Sequence, residues 1–413
     1  MAETLVLAPQ FAKTGKQSVS PSEVTSALDK IRTSAALESP GFDSKKNGTA
    51  PQVRSTLSNL IFLRNELSSP SADTDNLDSA RDFSIEELVS DLCLSHPSRF
   101  LVASLNSDSE GIQTAVSSQC VIANSGAHVC SEEVYISVNE EVSGYLAHYL
   151  LSLLVPDVPA VLVVLGDIGI EGEAFHTVMQ SVAEISDKII FDSGTFSHLD
   201  SSARSLRRGD FEEPLQLCDL TWMKISRWRE LISEQFESGS GGVKSTENIS
   251  NIDIFFKQDG SHEQAAPVEA LLLTSWIVDS LGAQVRSVLP LSDGGMELVL
   301  KKKQKFKIQL LPVEDSTQVE TSIQKVEFSM GSGDLFCSFS IRRVNSEDAE
   351  VSIGFSSEAT GADNSCELNV RHVSFARDDR RLLLTRALNQ PSSSETFQRI
   401  FEKMLTITKD EED

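Results

Sequence analysis

An α/β fold is predicted by three features of this 413-residue sequence. Ala160 to Leu165 (AVLVVL) is a short all-apolar run, strand-like and helix-like segments alternate from Phe83 to Gly282, and after Gly282 the apolar period changes to two. An apolar run without alternation suits a strand covered on both faces, as in a parallel sheet with flanking helices. The expected domains are a disordered tail at 1–50, a short ordered element and linker at 51–82, an acidic α/β domain with a mainly parallel or mixed sheet at 83–282, and a β-rich domain at 283–413. In the last, an antiparallel sheet with one wet face is covered on its dry face by terminal helices.

The first 50 residues are rich in Ser, Thr, Pro, Ala and Lys, with too few large apolar residues to offset the entropy of ordering. Within them Ser20-Pro21-Ser22-Glu23 opens a short apolar stripe, Val24 to Ile31, with helix-start chemistry. Ser55 to Leu63 suits a strand or short helix, and Ser68 to Asp78, with Pro70 and three aspartates, a linker. Ser84-Ile85-Glu86-Glu87 is a capping-box pattern that predicts a helix to about Leu92. Strands are predicted over Arg99 to Leu105, Gln113 to Ile122 and Glu132 to Val138, then a helix over Glu141 to Leu154 and the buried strand from Ala160. A helix at Ala174 to Ile185, a strand at Lys188 to Asp192 and helices at about Ser205 to Leu217 and Ser226 to Phe236 follow. The domain closes with a strand at Asn251 to Lys257 and a helix from Pro267 to Leu281, ended by Gly282. Beyond it Met296 to Leu300 and Phe306 to Leu311 flank a lysine-rich turn, and Val326 to Met330, Leu335 to Val344, Glu350 to Phe355 and Cys366 to Phe375 keep the strand period. Arg380 to Leu388 and Glu395 to Ile407 supply the covering helices.

Charge narrows the function. The net charge is −25, of which −20 falls between residues 81 and 282. A surface this negative repels phosphate backbones and anionic lipid, so neither nucleic acid nor membrane is an expected partner, and a basic protein patch is. Pro156, Asp157 and Pro159 interrupt the most hydrophobic region, and Met1 to Lys16 has no secretory h-region, so a cytoplasmic location is expected.

No catalytic constellation emerges. Gly166-x-x-Gly169-x-x-Gly172 follows the buried strand, but its spacing is wrong for a dinucleotide loop, and Asp167, Glu171 and Glu173 would repel a pyrophosphate. Cys120, His128 and Cys130, with Cys93 or His96, lack the paired short spacing of structural zinc sites and are expected to be isolated thiols and a surface histidine. The cluster Lys301, Lys302, Lys303, Lys305 and Lys307 suits a solvated hairpin whose lysines prevent edge pairing. Neither a cofactor nor a metal is expected.

All three tryptophans lie between residues 222 and 276. In Asp219 to Leu231 (DLTWMKISRWREL) a loop enters an amphipathic helix whose stripe of Trp228, Leu231, Ile232 and Phe236 faces a core. Trp222 precedes that helix, while Arg229 and Glu230 fall beside the stripe, bordering a cleft or meeting water. This segment resembles the signature of the OpcA family of glucose-6-phosphate dehydrogenase assembly proteins. His96-Pro97-Ser98-Arg99, LLSLLVPDVPAVLVVL at Leu150 to Leu165, Ile190 to Ser193 and LLLTSWIVDSLG at Leu271 to Gly282 are similar to further family elements, in the same order. The resemblance covers about Phe83 to Gln284. It implies a non-catalytic protein that binds glucose-6-phosphate dehydrogenase and favours its active oligomer, with Asp219, Trp222, Arg227, Arg229, Glu230, His96 and Arg99 as partner-binding candidates. Relatives from photosynthetic bacteria are linked to thioredoxin control; this chain has no cysteine after Cys366 and no close pair, so redox control is not carried over. The alternative is an α/β enzyme or sugar-phosphate sensor with a polar pocket ringed by His96, Arg99 and Arg229.

Overall fold

A computed structural model describes residues 11–37, 52–53, 56–65, 85–122, 128–164, 166, 173–196, 198–207, 216–237, 246, 248–257, 266–302, 304–313, 322–332, 335–357, 366–375, 379–390 and 395–409. The chain divides into two compact units. Unit 1 is Met1–Asp192, Ser201–Cys218 and Arg380–Ser392; unit 2 is Ser193–Asp200, Asp219–Asp379 and Ser393–Asp413.

Unit 1 is built from β1 (Phe11–Lys13), β2 (Gln17–Val19), α1 (Val24–Leu37), β3 (Gln52–Val53), β4 (Asn59–Asn65), α2 (Ile85–Ser95), β5 (Arg99–Leu105), β6 (Ile112–Ile122) and β7 (His128–Val138). It continues through α3 (Leu146–Leu153), β8 (Ala160–Val164), α4 (Glu173–Glu184), β9 (Lys188–Phe191), α5 (Leu199–Arg207) and β10 (Gln216–Asp219). The sheet order is β1-β6-β7-β5-β4-β8-β9-β10. From β7 to β9 every neighbouring pair is parallel, whereas β6 and β7 form an antiparallel hairpin. Counting β4 as first, the succession β7-β5-β4-β8-β9-β10 has the 3-2-1-4-5-6 order of a doubly wound dinucleotide fold. All five residues of β8 are buried, as expected for a central strand of such a sheet.

Two expectations change in this unit. Part of the segment expected to be a disordered tail is folded: β1 and β2 pair antiparallel with β6, and α1 buries Val24, Leu28 and Ile31. Those three apolar residues suffice because their spacing of three and four places them on one helical face, and Tyr149 Oη anchors the entry by donating to the Pro21 carbonyl at 3.1 Å. The helix expected at about Ser205 to Leu217 is instead α5, with Leu199, Ala203 and Leu206 buried, and an edge strand β10; residues 208–215 between them lie outside the described set.

Unit 2 holds α6 (Leu220–Lys224), α7 (Ser226–Phe236), β11 (Ile249–Lys257), α8 (Val268–Ser280), β12 (Gln284–Pro290), β13 (Met296–Lys301), β14 (Lys305–Val313), β15 (Ile323–Ser332), β16 (Leu335–Arg343), β17 (Asp348–Ser357) and β18 (Cys366–Ser374). The chain then forms α9 (Arg380–Asn389), which belongs to unit 1, and α10 (Glu395–Lys409), which belongs to unit 2. The eight strands run β12-β13-β14-β11-β15-β16-β17-β18. The sheet is mixed rather than antiparallel, because β11 inserts parallel to β14 and antiparallel to β15. The units therefore part at Asp192 and Cys218 rather than at Gly282: β11 is a strand of the second sheet, and α8 belongs to the same unit.

Why α9 joins unit 1 is visible at its ends. Lys188 Nζ donates to the Gln390 carbonyl at 2.9 Å and to that of Ala387, and Arg380 bridges Asp192 at 2.9 Å. A cation at the C-terminus satisfies carbonyls that the helix leaves open. α8 is buried nearly all round, so its apolar residues follow no single stripe, and Thr274 and Ser275 donate back to the Ala270 and Leu271 carbonyls at 2.8 Å. Gly282 follows at φ +62°, the left-handed turn that ends the helix.

The helical layer over the unit 2 sheet

Candidate residues 219 to 237 build one corner of unit 2. Asp219 leaves β10 with extended backbone and caps α6: its carboxylate accepts from Thr221 N at 3.0 Å and Trp222 N at 3.3 Å. The same carboxylate accepts from Ser193 N at 3.0 Å and Ser193 Oγ at 2.7 Å, and Thr221 Oγ1 accepts from Gly194 N at 2.8 Å. Asp219 is 1% exposed, so it ties two chain segments together and meets no solvent.

Trp222 is 8% exposed and packs against Phe397 of α10 with ring centroids 5.8 Å apart. The Arg229 guanidinium lies over the Trp222 ring, 3.5 Å from its centroid, and Arg229 Nη2 donates to the Trp222 carbonyl at 3.2 Å. Arg229 Nε is buried with no hydrogen-bond partner. Burial pulls the Arg229 guanidinium down to about 10, against the opposing pull of Glu230. Trp228 is buried as the stripe predicts and meets Phe375 edge-on at 5.3 Å, while Phe236 packs edge-on against the stacked pair Phe328 and Phe339 of the sheet.

Beside Arg229 opens a cleft of about 640 Å³, lined by Ser226, Arg229, Glu230, Ser233, Glu234, Glu237 and Trp276. Arg227 bridges Glu230 at 3.0 Å and donates to the Ser374 carbonyl at 3.3 Å, and Arg371 bridges Glu234 at 2.8 Å. Glu230, 60% exposed, stands at the rim. The sequence placed Arg229 and Glu230 beside the stripe; Ser233 and Glu237 were detectable as the next residues of the same face, whereas Trp276 comes from α8 and had no local signal.

His96 and Arg99 belong to unit 1 and do not line this cleft. His96 is buried with Nε2 3.0 Å from Ser58 Oγ, and Ser58 Oγ lies 3.1 Å from Ser98 Oγ. Arg99 is paired: its Nε donates to Glu132 at 2.8 Å, and another donor reaches the Leu153 carbonyl. Both side chains cross-link the N-terminal ends of β4 and β5 to their neighbours. Cys130 is disulfide-bonded rather than an isolated thiol, and the β6–β7 register sets Cys120 opposite it. Among the described residues no cluster of three or more His, Cys, Asp or Glu is arranged to hold a metal ion. No described helix is long and apolar enough to cross a membrane. The lysine-rich turn joins β13 to β14, with Lys307 bridging Glu297 at 3.0 Å; Lys303 lies outside the described residues.

In the chain a doubly wound unit is followed by a large mixed sheet with a helical layer. A crystal structure of glucose-6-phosphate 1-dehydrogenase from Mycobacterium avium has this fold, with a TM-score of 0.52 at 10% identity over 86% of this chain and 91% of that one. The family models for the glucose-6-phosphate dehydrogenase subunit N-terminal and C-terminal domains match residues 89–208 and 215–401, and the chain belongs to this OpcA family. It is 23% identical to the OxPP cycle proteins OpcA of Nostoc punctiforme, over 197 residues, and Synechocystis, over 176. The matches cover 47% and 42% of this chain, and 40% and 34% of those relatives.

Proposed function

We propose that this chain is a non-catalytic assembly and activation factor that binds glucose-6-phosphate dehydrogenase and favours its active oligomer, acting at the entry to the pentose phosphate pathway. One observation carries the non-catalytic part. In a doubly wound sheet the pyrophosphate loop follows the first strand, here β4, and not the fourth, β8, where Gly166 lies. The sequence after β4, Glu66 to Ser84, contains no glycine and has five carboxylates against one arginine. Such a segment has neither the backbone freedom nor the charge to receive a dinucleotide.

A protein without chemistry of its own raises another's activity by binding the active oligomer more tightly than the inactive form, and the shift equals that differential affinity. The acidic middle of the chain speeds encounter with a basic partner face, an effect that salt weakens. The α7 cleft is the contact we assign, with Arg227, Arg229 and Glu230 at its rim and Asp219 and Trp222 holding it in shape. The test mixes the purified chain with the dehydrogenase of the same cell and follows mass and activity together. A joint species with raised activity is expected; no change in either sinks the proposal. Turnover of a sugar phosphate or a nicotinamide cofactor by the chain alone supports the enzyme alternative.

A further inference from the structure

The unit 2 sheet has a second face. On one side Phe236 of α7 packs against Phe328 and Phe339; on the other, Glu297, Gln309, Asp253, Glu327, Ser340 and Ser352 are successive cross-strand partners over six adjacent strands. Glu297 is buried and the other five are half-exposed. The row ends at exposed apolar residues on the two edge strands, Leu289 opposite Glu297 and Val370 opposite Ser352.

We propose that this open face is where two copies of the chain pair, sheet on sheet. Its size fits: eight strands about 4.8 Å apart, paired over about seven residues at about 3.4 Å each, make a face of roughly 34 by 24 Å, about 800 Å². One partner of a standard protein–protein interface contributes about that much. Sheets of equal twist stack face to face, and the small Ser340 and Ser352 on β16 and β17, toward one edge, let a second sheet approach closely there, while Asp253 and Glu327 occupy the middle strands.

Charge selects a second copy as the occupant. The net −25 makes two copies repel in general, but at physiological salt only charges within about 8 Å act strongly. Locally the face is balanced: Lys307 meets Glu297 at 3.0 Å, Lys325 meets Glu327 at 2.6 Å, and Arg342 stands opposite Glu350. A strongly basic or acidic partner finds no net attraction there, whereas alternating signs complement themselves across a two-fold axis. Asp253 adds a second reason. Burial already raises its carboxyl above the ordinary range, helped by Glu327 and opposed by Asn251 and Lys325, so covering it removes little further hydration.

Such a dimer carries its two α7 clefts on opposite outer sides. It is therefore bivalent and can bridge two dehydrogenase units, a consequence that rests on the proposed function, whereas the dimer does not. Sedimentation equilibrium of the purified chain at about 1 and 50 μM brackets a micromolar dissociation constant. Two chain masses are expected at the higher concentration. The double variant Ser340→Arg with Ser352→Arg should give one chain mass at both while remaining folded, melting slightly lower because the Ser340–Ser352 hydrogen bond is lost and two like charges stand opposite. A wild type that stays at one chain mass at 50 μM overturns the proposal, as does a folded double variant that still dimerises. If the double variant unfolds, Gln309→Arg at the same face takes its place, with the same two outcomes. With dehydrogenase added, a monomeric variant that binds without enlarging the oligomer supports bridging. If the dimeric wild type ignores the dehydrogenase, the proposed function fails and the dimer stands.

Discussion

Asp219 gives the sharpest separation of scaffold from contact surface. Its carboxylate accepts from three backbone amides, Ser193, Thr221 and Trp222, and from the Ser193 hydroxyl, all buried. Asp219→Ala removes that acceptor. Each buried donor left without one costs about 1 to 3 kcal/mol, and the long Trp222 contact contributes least. Two well-formed backbone bonds and the hydroxyl bond thus amount to about 3 to 5 kcal/mol, with water recovering part of the loss. Asp219→Asn keeps the oxygen that serves Ser193 N and Thr221 N, and the Ser193 hydroxyl can rotate to accept from the new amide, so about 1 to 2 kcal/mol is expected. For a unit of this size 1 kcal/mol shifts the melting temperature by about 2 to 4 °C, so the alanine variant should melt about 6 to 20 °C lower and the asparagine variant only a few degrees lower. Calorimetric unfolding, run beside calorimetric binding to the dehydrogenase, decides the matter. Binding should fall only with the folded fraction. An alanine variant that melts like the parent yet fails to bind would refute the capping role and put the carboxylate on the partner surface.

Three further outcomes follow from the same geometry. Trp228→Ala opens a cavity against Phe375 and should cost about 3 to 5 kcal/mol in urea unfolding, with no separate effect on binding. Arg229→Ala should lower stability by about 1 to 2 kcal/mol through loss of the Trp222 stack and carbonyl bond, yet weaken dehydrogenase binding tenfold or more by titration calorimetry at equal folded fraction; equal affinity would return the residue to scaffold. His96 is held below its ordinary 6.5, first by burial and against an opposing hydrogen bond with Asn389. The unfolded ring therefore takes up its proton first, stability falls as the pH drops through 6.5 toward the folded value, and His96→Gln should flatten the melting curve between about pH 7 and 5.5.

Much of the fold was legible because its signals are local. The all-apolar Ala160 to Leu165 run announced a central strand, the period-two alternation after Gly282 announced half-buried strands, and the stripe of Trp228, Leu231, Ile232 and Phe236 announced the buried face of α7. Each depends on which face of an element meets the core, and that is written in the spacing of apolar residues along it. Family resemblance was legible for the same reason, through five ordered segments.

Pairing partners and the surroundings of polar groups were decided only by the tertiary structure. No local pattern says that β11 enters the second sheet between β14 and β15, because its ladder partners lie some 50 to 80 residues later along the chain. Strand order likewise moved the phosphate-loop position from Gly166, which follows the fourth strand, to the glycine-free segment after the first. Polar candidates divide on the same principle: Asp219, His96 and Arg99 resemble contact residues in sequence, yet the first two are buried and Arg99 is half-buried and paired with Glu132, while Arg229 and Glu230 line or rim a cleft that Trp276 of another helix completes. Apolar spacing fixes the face of an element, since burial repeats with the helix or strand period; whether a lone carboxylate or guanidinium meets water, a partner or a backbone amide depends on chain segments brought there by folding.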